Sequence, residues 1–211
     1  MNVLFEDADI LVVDKPAGQI VHPAPGHETG SLTEEIVRCC PSMAGVGSRE
    51  RPGVVHRLDQ ETSGVMVFAK TQKAYLDLRR QFESHATIGK KYLAVLHGAP
   101  RQKKGTLDGP VGREHLRAVT HWEVLAKKGS LALVEFVIET GRMHQIRIHA
   151  AELGCPVVGD RLYGDAAKDR RLRVKPTRHL LHAVELSFLH PATGRRVTFS
   201  APPPPDLVYS V

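Results

Sequence analysis

Apolar residues along the chain recur mainly with the alternation typical of β-strands, and glycine and proline interrupt the pattern at short intervals. This pattern predicts strands at about residues 3–6, 10–14, 90–97, 118–125 and 131–139, followed by a closing pair at 180–189 and 195–200. The closing pair would turn through residues 190–194, whose sequence is HPATG. We therefore expect a strand-rich chain with few helices.

Two helices are predicted from their capping residues. Ser31 and Glu34 have the spacing of a capping box, which predicts a helix over residues 32–40 that Pro41 ends. Thr71 can cap a second helix. The apolar face of that helix would consist of Tyr75, Leu78 and Phe82.

A third helix is predicted over residues 142–153, although the apolar spacing there would also suit a strand. Gly154 stands where a left-handed cap would be and Pro156 lies two residues beyond, which is the expected order at a helix C-terminus. Its core side would consist of Met143, Ile146, Ala150 and Leu153. His144 and Arg147, three residues apart, would share a neighbouring face and point into one cleft.

Three stretches are predicted to lack regular structure. Residues 41–53 have the composition of a surface loop, and residues 202–211 that of an extended proline-rich tail. The third is a glycine-rich insertion with the basic residues Arg101, Lys103, Lys104, Arg113 and Arg117.

Composition limits the class of protein. A chain of 211 residues with 42% hydrophobic residues suits a single domain, residues 1–211, with a substantial core. Lys and Arg together number 29 against 23 for Asp and Glu, and a pI near 9.4 favours a polyanionic partner.

The cysteines and the N-terminus predict the compartment. There are three cysteines and no Cys-x-x-Cys pair, which argues against a disulfide framework and a structural zinc site. No apolar run approaches the roughly 18 residues of a spanning helix, and the acidic N-terminus does not resemble a signal peptide. We expect a soluble protein of the cytoplasm.

Asp59 is the strongest candidate for a chemical role. It lies in residues 56–64, HRLDQETSG, between the apolar pair 54–55 and the apolar run 65–69, so we predict a strand, a polar turn and a second strand. Turns at strand ends commonly bear catalytic groups. An aspartate before Thr, Ser and Gly can also serve only to hydrogen-bond its own turn, and the residues alone leave both roles open.

Four ordered stretches closely resemble the signatures of the RluA family of pseudouridine synthases. The first is the HRLD run followed by Thr-Ser-Gly, in which the family's catalytic aspartate corresponds to Asp59. The others are residues 12–18 (VVDKPAG) with 21–23 (VHP), residues 90–95 (KKYLAV), and residues 141–149 (GRMHQIRIH) continuing to 158–164 (VGDRLYG). They extend the resemblance from about residue 3 to residue 200.

The resemblance implies an α+β fold, the pseudouridine synthase fold, with a mixed and mostly antiparallel sheet, flanking helices and a central cleft. Many relatives have an additional N-terminal S4-type RNA-binding domain. Because the motifs of this chain begin near residue 3, we expect that module to be absent. We also expect a monomer.

The implied reaction converts uridine to pseudouridine in ribosomal or transfer RNA, without a cofactor. By resemblance Asp59 is the catalytic carboxylate, Arg147 lies beside it and keeps it ionised, and Tyr92 contacts the base and helps to take the carbon 5 proton. The target nucleotide would leave its stack to reach the pocket. The further residues expected to contact RNA are His56, Arg57, Thr62, Arg142, His144 and Gln145.

Basic residues are densest between residues 161 and 178, which resembles a loop that contacts phosphates. Within it we expect RNA contacts from Arg170, Arg171 and Arg173. A solvated charged loop is the alternative interpretation.

Two other classes of function stay open. The chain could be an RNA-binding protein that has kept the fold without turnover. A metal-dependent nuclease is the weaker option, because His144 and His149 are five residues apart, on different faces of a helix, and we predict no metal site.

Overall fold

The computed structural model describes residues 1–112 and 115–208, and the chain divides into two compact units. The first comprises Met1–Gly89 and Glu185–Ala201, and the second comprises Lys90–Val184 and Pro202–Val211. The described residues form an α+β fold, as expected. Their strands are β1 (Asn2–Glu6), β2 (Ile10–Lys15), β3 (Ser63–Ala69), β4 (Gly89–His97), β5 (Lys104–Val111), β6 (Leu116–Lys128), β7 (Leu131–Ile138), β8 (Leu181–Leu189) and β9 (Arg196–Ser200).

The helices within the same described ranges are α1 (Leu32–Cys39), α2 (Gln72–Ser84), α3 (Gln145–Glu152), α4 (Ala166–Asp169) and α5 (Pro205–Val208). None of the described helices is both long and apolar enough to cross a membrane.

Antiparallel strand pairs build the first unit. β2 pairs with β1 on one side and with β3 on the other, and every residue of β3 is buried. β9 pairs with the end of β8, and the predicted turn between them is present, with the Gly194 N–H donating to the His190 carbonyl at 2.8 Å. This unit holds Asp59 and the first two predicted helices.

The cap residues of α1 and α2 were predicted correctly. Ser31 accepts the Glu34 N–H while the Glu34 carboxylate accepts the Ser31 N–H, which is a complete capping box. The Thr71 side chain accepts the Ala74 N–H at the start of α2, whose Leu78 and Phe82 are buried.

The second unit is an antiparallel sheet in the order β4-β7-β6-β5. A hydrophobic cluster packs under it, and α3 contributes Ile146 and Ala150 to this cluster. The core thus anchors the helix on which His144 and Arg147 were predicted to lie.

β5 was not predicted, because Gly105, Gly109 and Pro110 are unusual in a strand. The structure shows alternating burial along it and continuous pairing with β6. The glycine at position 105 is required by packing, since a Cβ there would lie 2.7 Å from the Trp122 ring.

Three further expectations about local structure are corrected. Residues 41–53 are not wholly irregular, since Pro41–Gly45 forms a 3₁₀ helix. The tail is not extended throughout, because α5 begins at Pro205. Residues 209–211 of the tail, and Arg113 of the predicted insertion, lie outside the described residues. The third helix begins at Gln145 instead of residue 142, because His144 adopts a left-handed conformation with φ 57°. At its other end, Gly154 has φ 71°, which is the left-handed conformation expected of a cap glycine.

Candidate active site

Asp59 lies half-buried on an irregular segment that leads into β3. The Thr62 N–H donates to the Asp59 carbonyl at 3.1 Å, which closes the predicted turn. The flanking side chains of Leu58, Thr62 and Ser63 are 7%, 2% and 5% exposed. The carboxylate therefore stands on a turn that is anchored on both sides.

A buried lysine fixes this turn to the end of β2. Lys15 is fully buried, and its Nζ donates to the carbonyls of Pro16, Gln19 and Gln60 at 2.8, 2.8 and 2.9 Å. Gln60 is held further, because its carbonyl accepts the Gly18 N–H and its own Nε2 donates to the Gly18 carbonyl at 3.0 Å. One ammonium thus ties Gln60, the residue next to Asp59, to Pro16 and Gln19 after β2.

The strand predicted before Asp59 is not formed. Val54 makes one isolated bridge with Phe68, and beyond it the His56 imidazole takes over the pairing by accepting the Val67 N–H at Nε2, 3.1 Å. The ring also stacks on Phe82 with centroids 4.5 Å apart. His56 therefore supports the approach to Asp59, while Arg57, the next residue, is exposed.

In the second unit, Arg147 forms a buried ion pair with Asp160. Nε and Nη2 donate to the two carboxylate oxygens at 2.6 and 2.8 Å, and the two side chains are 6% and 0% exposed. Burial alone raises the pKa of Asp160, but donation from Arg147 and from the backbone amides of Leu162 and Tyr163 outweighs it, so this pKa lies below its ordinary value.

Tyr163 joins His144 to Arg147. The guanidinium lies over the tyrosine ring, 5.3 Å from its centroid, and the tyrosine hydroxyl is 3.1 Å from His144 Nδ1. The prediction that His144 and Arg147 share one side of the helix agrees with these contacts. Met143 was expected in the core, but it is 62% exposed, because the turn before Gln145 directs it outwards.

Gln145 is buried and fixes the start of α3, and its predicted RNA contact stays a prediction. It is 3% exposed, and its Nε2 donates to the Val119 carbonyl and Thr120 Oγ1. Its Oε1 accepts from Thr140 Oγ1 and the Arg142 N–H at 2.7 and 3.0 Å. Both amide atoms are thus used to fix the start of α3. Thr62 is buried as well, so its predicted RNA contact would need the turn to open.

The other predicted residues lie in distinct settings. Tyr92, on β4, is half-buried and packs against the hydrophobic cluster of the second unit. Arg142 is half-buried, and its Nε donates to the Arg117 carbonyl at 3.2 Å. Whether Asp59 pairs with Arg147 stays a prediction.

The basic loop divides into exposed and structural residues. Arg170, Arg171 and Arg173 are exposed, which suits the predicted phosphate contacts. Arg178 is 6% exposed and pairs with Asp206, so it is structural. The loop is held at Asp169, whose Oδ1 lies 2.7 Å from the buried His97 Nε2 and also accepts the Gly159 N–H.

Sequence reasoning missed the roles of Lys15, Asp160 and Tyr163, although all three lie within the quoted motifs. A lysine that follows four buried strand residues, and an aspartate directly after Val158-Gly159, are signals of buried charge that the sequence already contains. The partners of these residues are distant in sequence or separated by a turn, which no local pattern specifies.

Comparison with known proteins matches residues 9–152 to the family model described as RNA pseudouridylate synthase. An uncharacterized RNA pseudouridine synthase of Bacillus subtilis is 41% identical over 98% of this chain and 70% of its own length. A ribosomal large subunit pseudouridine synthase D of Zymomonas mobilis is 36% identical over 98% of this chain and 70% of its own length. The solved structure of human RNA pseudouridylate synthase domain containing 4 is 27% identical and superposes with a TM-score of 0.79, covering 99% of this chain and 91% of that one. The chain spans about two thirds of the length of the curated relatives that it matches, 66% of one from Synechocystis.

Proposed function

The chain belongs to the RNA pseudouridylate synthase family, whose members are isomerases, and from this premise we propose that it converts uridine to pseudouridine in RNA with Asp59 as the catalytic carboxylate. In this reaction the bond between ribose and uracil N1 breaks, the uracil turns, and a bond forms between ribose and uracil carbon 5. The proton on carbon 5 is released and N1 takes up a proton, so the product is an isomer of uridine and no redox partner is needed.

The observation that supports this role is the way in which the turn holds Asp59. Asp59 is half-buried, while the turn that bears it is fixed by the Thr62 N–H and by the Lys15 ammonium, which donates to the Gln60 carbonyl. A carboxylate that attacks a sugar or base, or removes a proton, must be held in one geometry while staying accessible to substrate. An aspartate that only closed its own turn would not need a buried ammonium bonded to the following residue.

Arg147 and Tyr92 are proposed to assist. The Arg147 guanidinium is fixed by Asp160 on one side and by the Tyr163 ring on another, so it is pre-oriented for a second carboxylate. We propose that it also pairs with Asp59 and favours its ionised form. Tyr92 is proposed to contact the uracil and to help in removing the carbon 5 proton.

The substrate is proposed to be ribosomal RNA of the large subunit. This choice rests on the names of relatives such as the ribosomal large subunit pseudouridine synthase D of Xanthomonas campestris, which is 41% identical over 98% of this chain. Transfer RNA is the alternative. The fixed positive charge, +6, suits either polyanion.

The proposal is tested by comparing Asp59→Asn with the wild type and with Asp14→Asn, a matched change of a half-buried aspartate in β2. Pseudouridine is mapped in large-subunit ribosomal RNA and in transfer RNA after incubation with each purified protein. We expect Asp59→Asn to abolish product while RNA affinity changes little, because the charge is removed at nearly constant shape, and Asp14→Asn to stay active. Turnover by Asp59→Asn would contradict the catalytic role, and modification of transfer RNA alone would contradict the proposed substrate.

A further inference from the structure

Lys90, in β4, is a buried cation with few partners for its charge. It is 7% exposed, and its Nζ donates to the Thr140 carbonyl at 2.9 Å. Within residues 1–112 and 115–208 this carbonyl is its one hydrogen-bond partner, and no carboxylate forms an ion pair with it. An ammonium has three donors, so two are left for another acceptor.

A second cation stands close to it. Burial, and then the positive charge of Arg142, lower the pKa of Lys90 to about 8. The Arg142 guanidinium is held by the Arg117 carbonyl, a neutral group, and it has no carboxylate partner among the described residues either. Two like charges in a partly desolvated place are unfavourable unless an anion binds between or beside them.

Gly141 leaves the ammonium open to approach. Gly141 is exposed, and a Cβ at this position would lie 3.6 Å from Lys90 Nζ. The ammonium therefore lies beside an exposed residue that has no side chain to cover it. Its φ is not in the left-handed region, so the backbone does not require glycine at this position.

We propose that Lys90 and Arg142 together form a subsite for one backbone phosphate of the RNA substrate. Phosphate oxygens would accept from Nζ and from the guanidinium, and the approach would pass over Gly141. This inference rests on the proposed function, since it takes RNA to be the substrate. The subsite is built into the sheet and the start of α3, in contrast to the exposed arginines of the loop at residues 170–173.

The test compares three variants with the wild type by measuring affinity for a single-stranded RNA that contains the target uridine, over a range of salt concentrations. Lys90→Met removes the charge and keeps the length of the side chain. Gly141→Ala keeps every charge and adds one methyl group beside Nζ. Lys73→Met, an exposed lysine at the start of α2, is the matched control.

We expect Lys90→Met and Gly141→Ala to bind RNA more weakly, and the slope of log affinity against log salt to fall by about 0.7 for the lost contact. Lys73→Met should keep the slope. Because Gly141→Ala leaves the net charge unchanged, its effect reports a local contact, and it also serves if Lys90→Met does not fold. Unchanged slopes for both variants, with the wild type active in pseudouridine formation, would overturn the subsite without affecting the proposed function. An inactive wild type would instead refute that function.

A separate arm identifies the source of the phosphate. Binding of inorganic phosphate is followed by ³¹P line broadening with the wild type and Lys90→Met in the absence of RNA. If Lys90 is needed for binding inorganic phosphate but not for binding RNA, the site takes a free anion and the inference about RNA is wrong.

Discussion

Asp160 neutralises the charge of Arg147, the buried arginine of α3. Its carboxylate accepts two donors from Arg147 and the backbone amides of Leu162 and Tyr163, and its side chain has no exposed surface. The same residue is contacted closely by Gly164, where a Cβ would lie 2.1 Å from the Asp160 carbonyl oxygen. The motif of residues 158–164 thus folds around the Asp160 carboxylate. In this position the carboxylate fixes the Arg147 guanidinium.

Replacing Asp160 by Asn should destabilise the fold strongly, because it leaves Arg147 buried without its full counter-charge. The expected loss is about 3–5 kcal/mol in the free energy of unfolding, measured by urea denaturation at pH 7. Asp165→Asn is the control, since that half-buried aspartate caps the short helix α4 and pairs only with Lys168 at its surface. Equal and small losses for both variants would show that the buried pair contributes little.

The pH dependence of stability follows from the direction of the shift. The pKa of Asp160 is lower in the folded state than in the unfolded chain, where it is about 3.9. Its contribution is therefore present above about pH 4 and is lost as the pH falls through the lower folded-state value. Wild-type protein should lose stability in that acidic range, and Asp160→Asn should lack this part of the loss.

At the scale of the element, β5 shows how a strand can be hidden from sequence reasoning. Gly105 and Gly109 lower its strand propensity, yet both belong to a continuous pairing with β6. Only the first has a packing reason, because it lies against Trp122, whereas nothing approaches a Cβ at Gly109 within 4 Å.

These two glycines make a matched pair for experiment. Gly105→Ala should destabilise the second unit by about 1–3 kcal/mol through overpacking, and it should change the fluorescence of Trp122, the one tryptophan of the chain. Gly109→Ala should do neither. If the two variants have the same free energy of unfolding and the same Trp122 fluorescence, the close approach of Gly105 to the ring does not constrain the residue at this position.

The exposed arginines of the loop after α4 are predicted to form a second, more peripheral contact to RNA. Neutralising Arg170, Arg171 and Arg173 together should weaken RNA binding for all sequences and reduce the salt slope by about 0.7 for each lost contact. The rate at saturating RNA should change little. The matched control neutralises Arg79 and Arg80 on α2, which are exposed and ion-paired. A salt slope that the triple variant leaves unchanged would make the loop a solvated surface.

For the molecule as a whole, local signals predicted the elements and missed the contacts that assemble the site. Most strands and the caps Ser31 and Thr71 follow from alternation and spacing, which act within a few residues. The bond from Lys15 to Gln60 spans 45 residues, and the pair of Arg147 with Asp160 depends on how the turn after α3 folds. Sequence reasoning could name Asp59 and Arg147 by resemblance, but it could not foresee what holds them.

The burial of Lys15 has a chemical consequence. Acylating reagents modify a lysine only when its amine is uncharged and reachable, and here the amine lies beneath three carbonyls with no exposed surface. Such reagents can reach Lys15 only in molecules whose turn at Gln60 has opened, whereas Lys73 is reachable in every molecule. The rate of modification at position 15 therefore measures how often the segment that bears Asp59 opens.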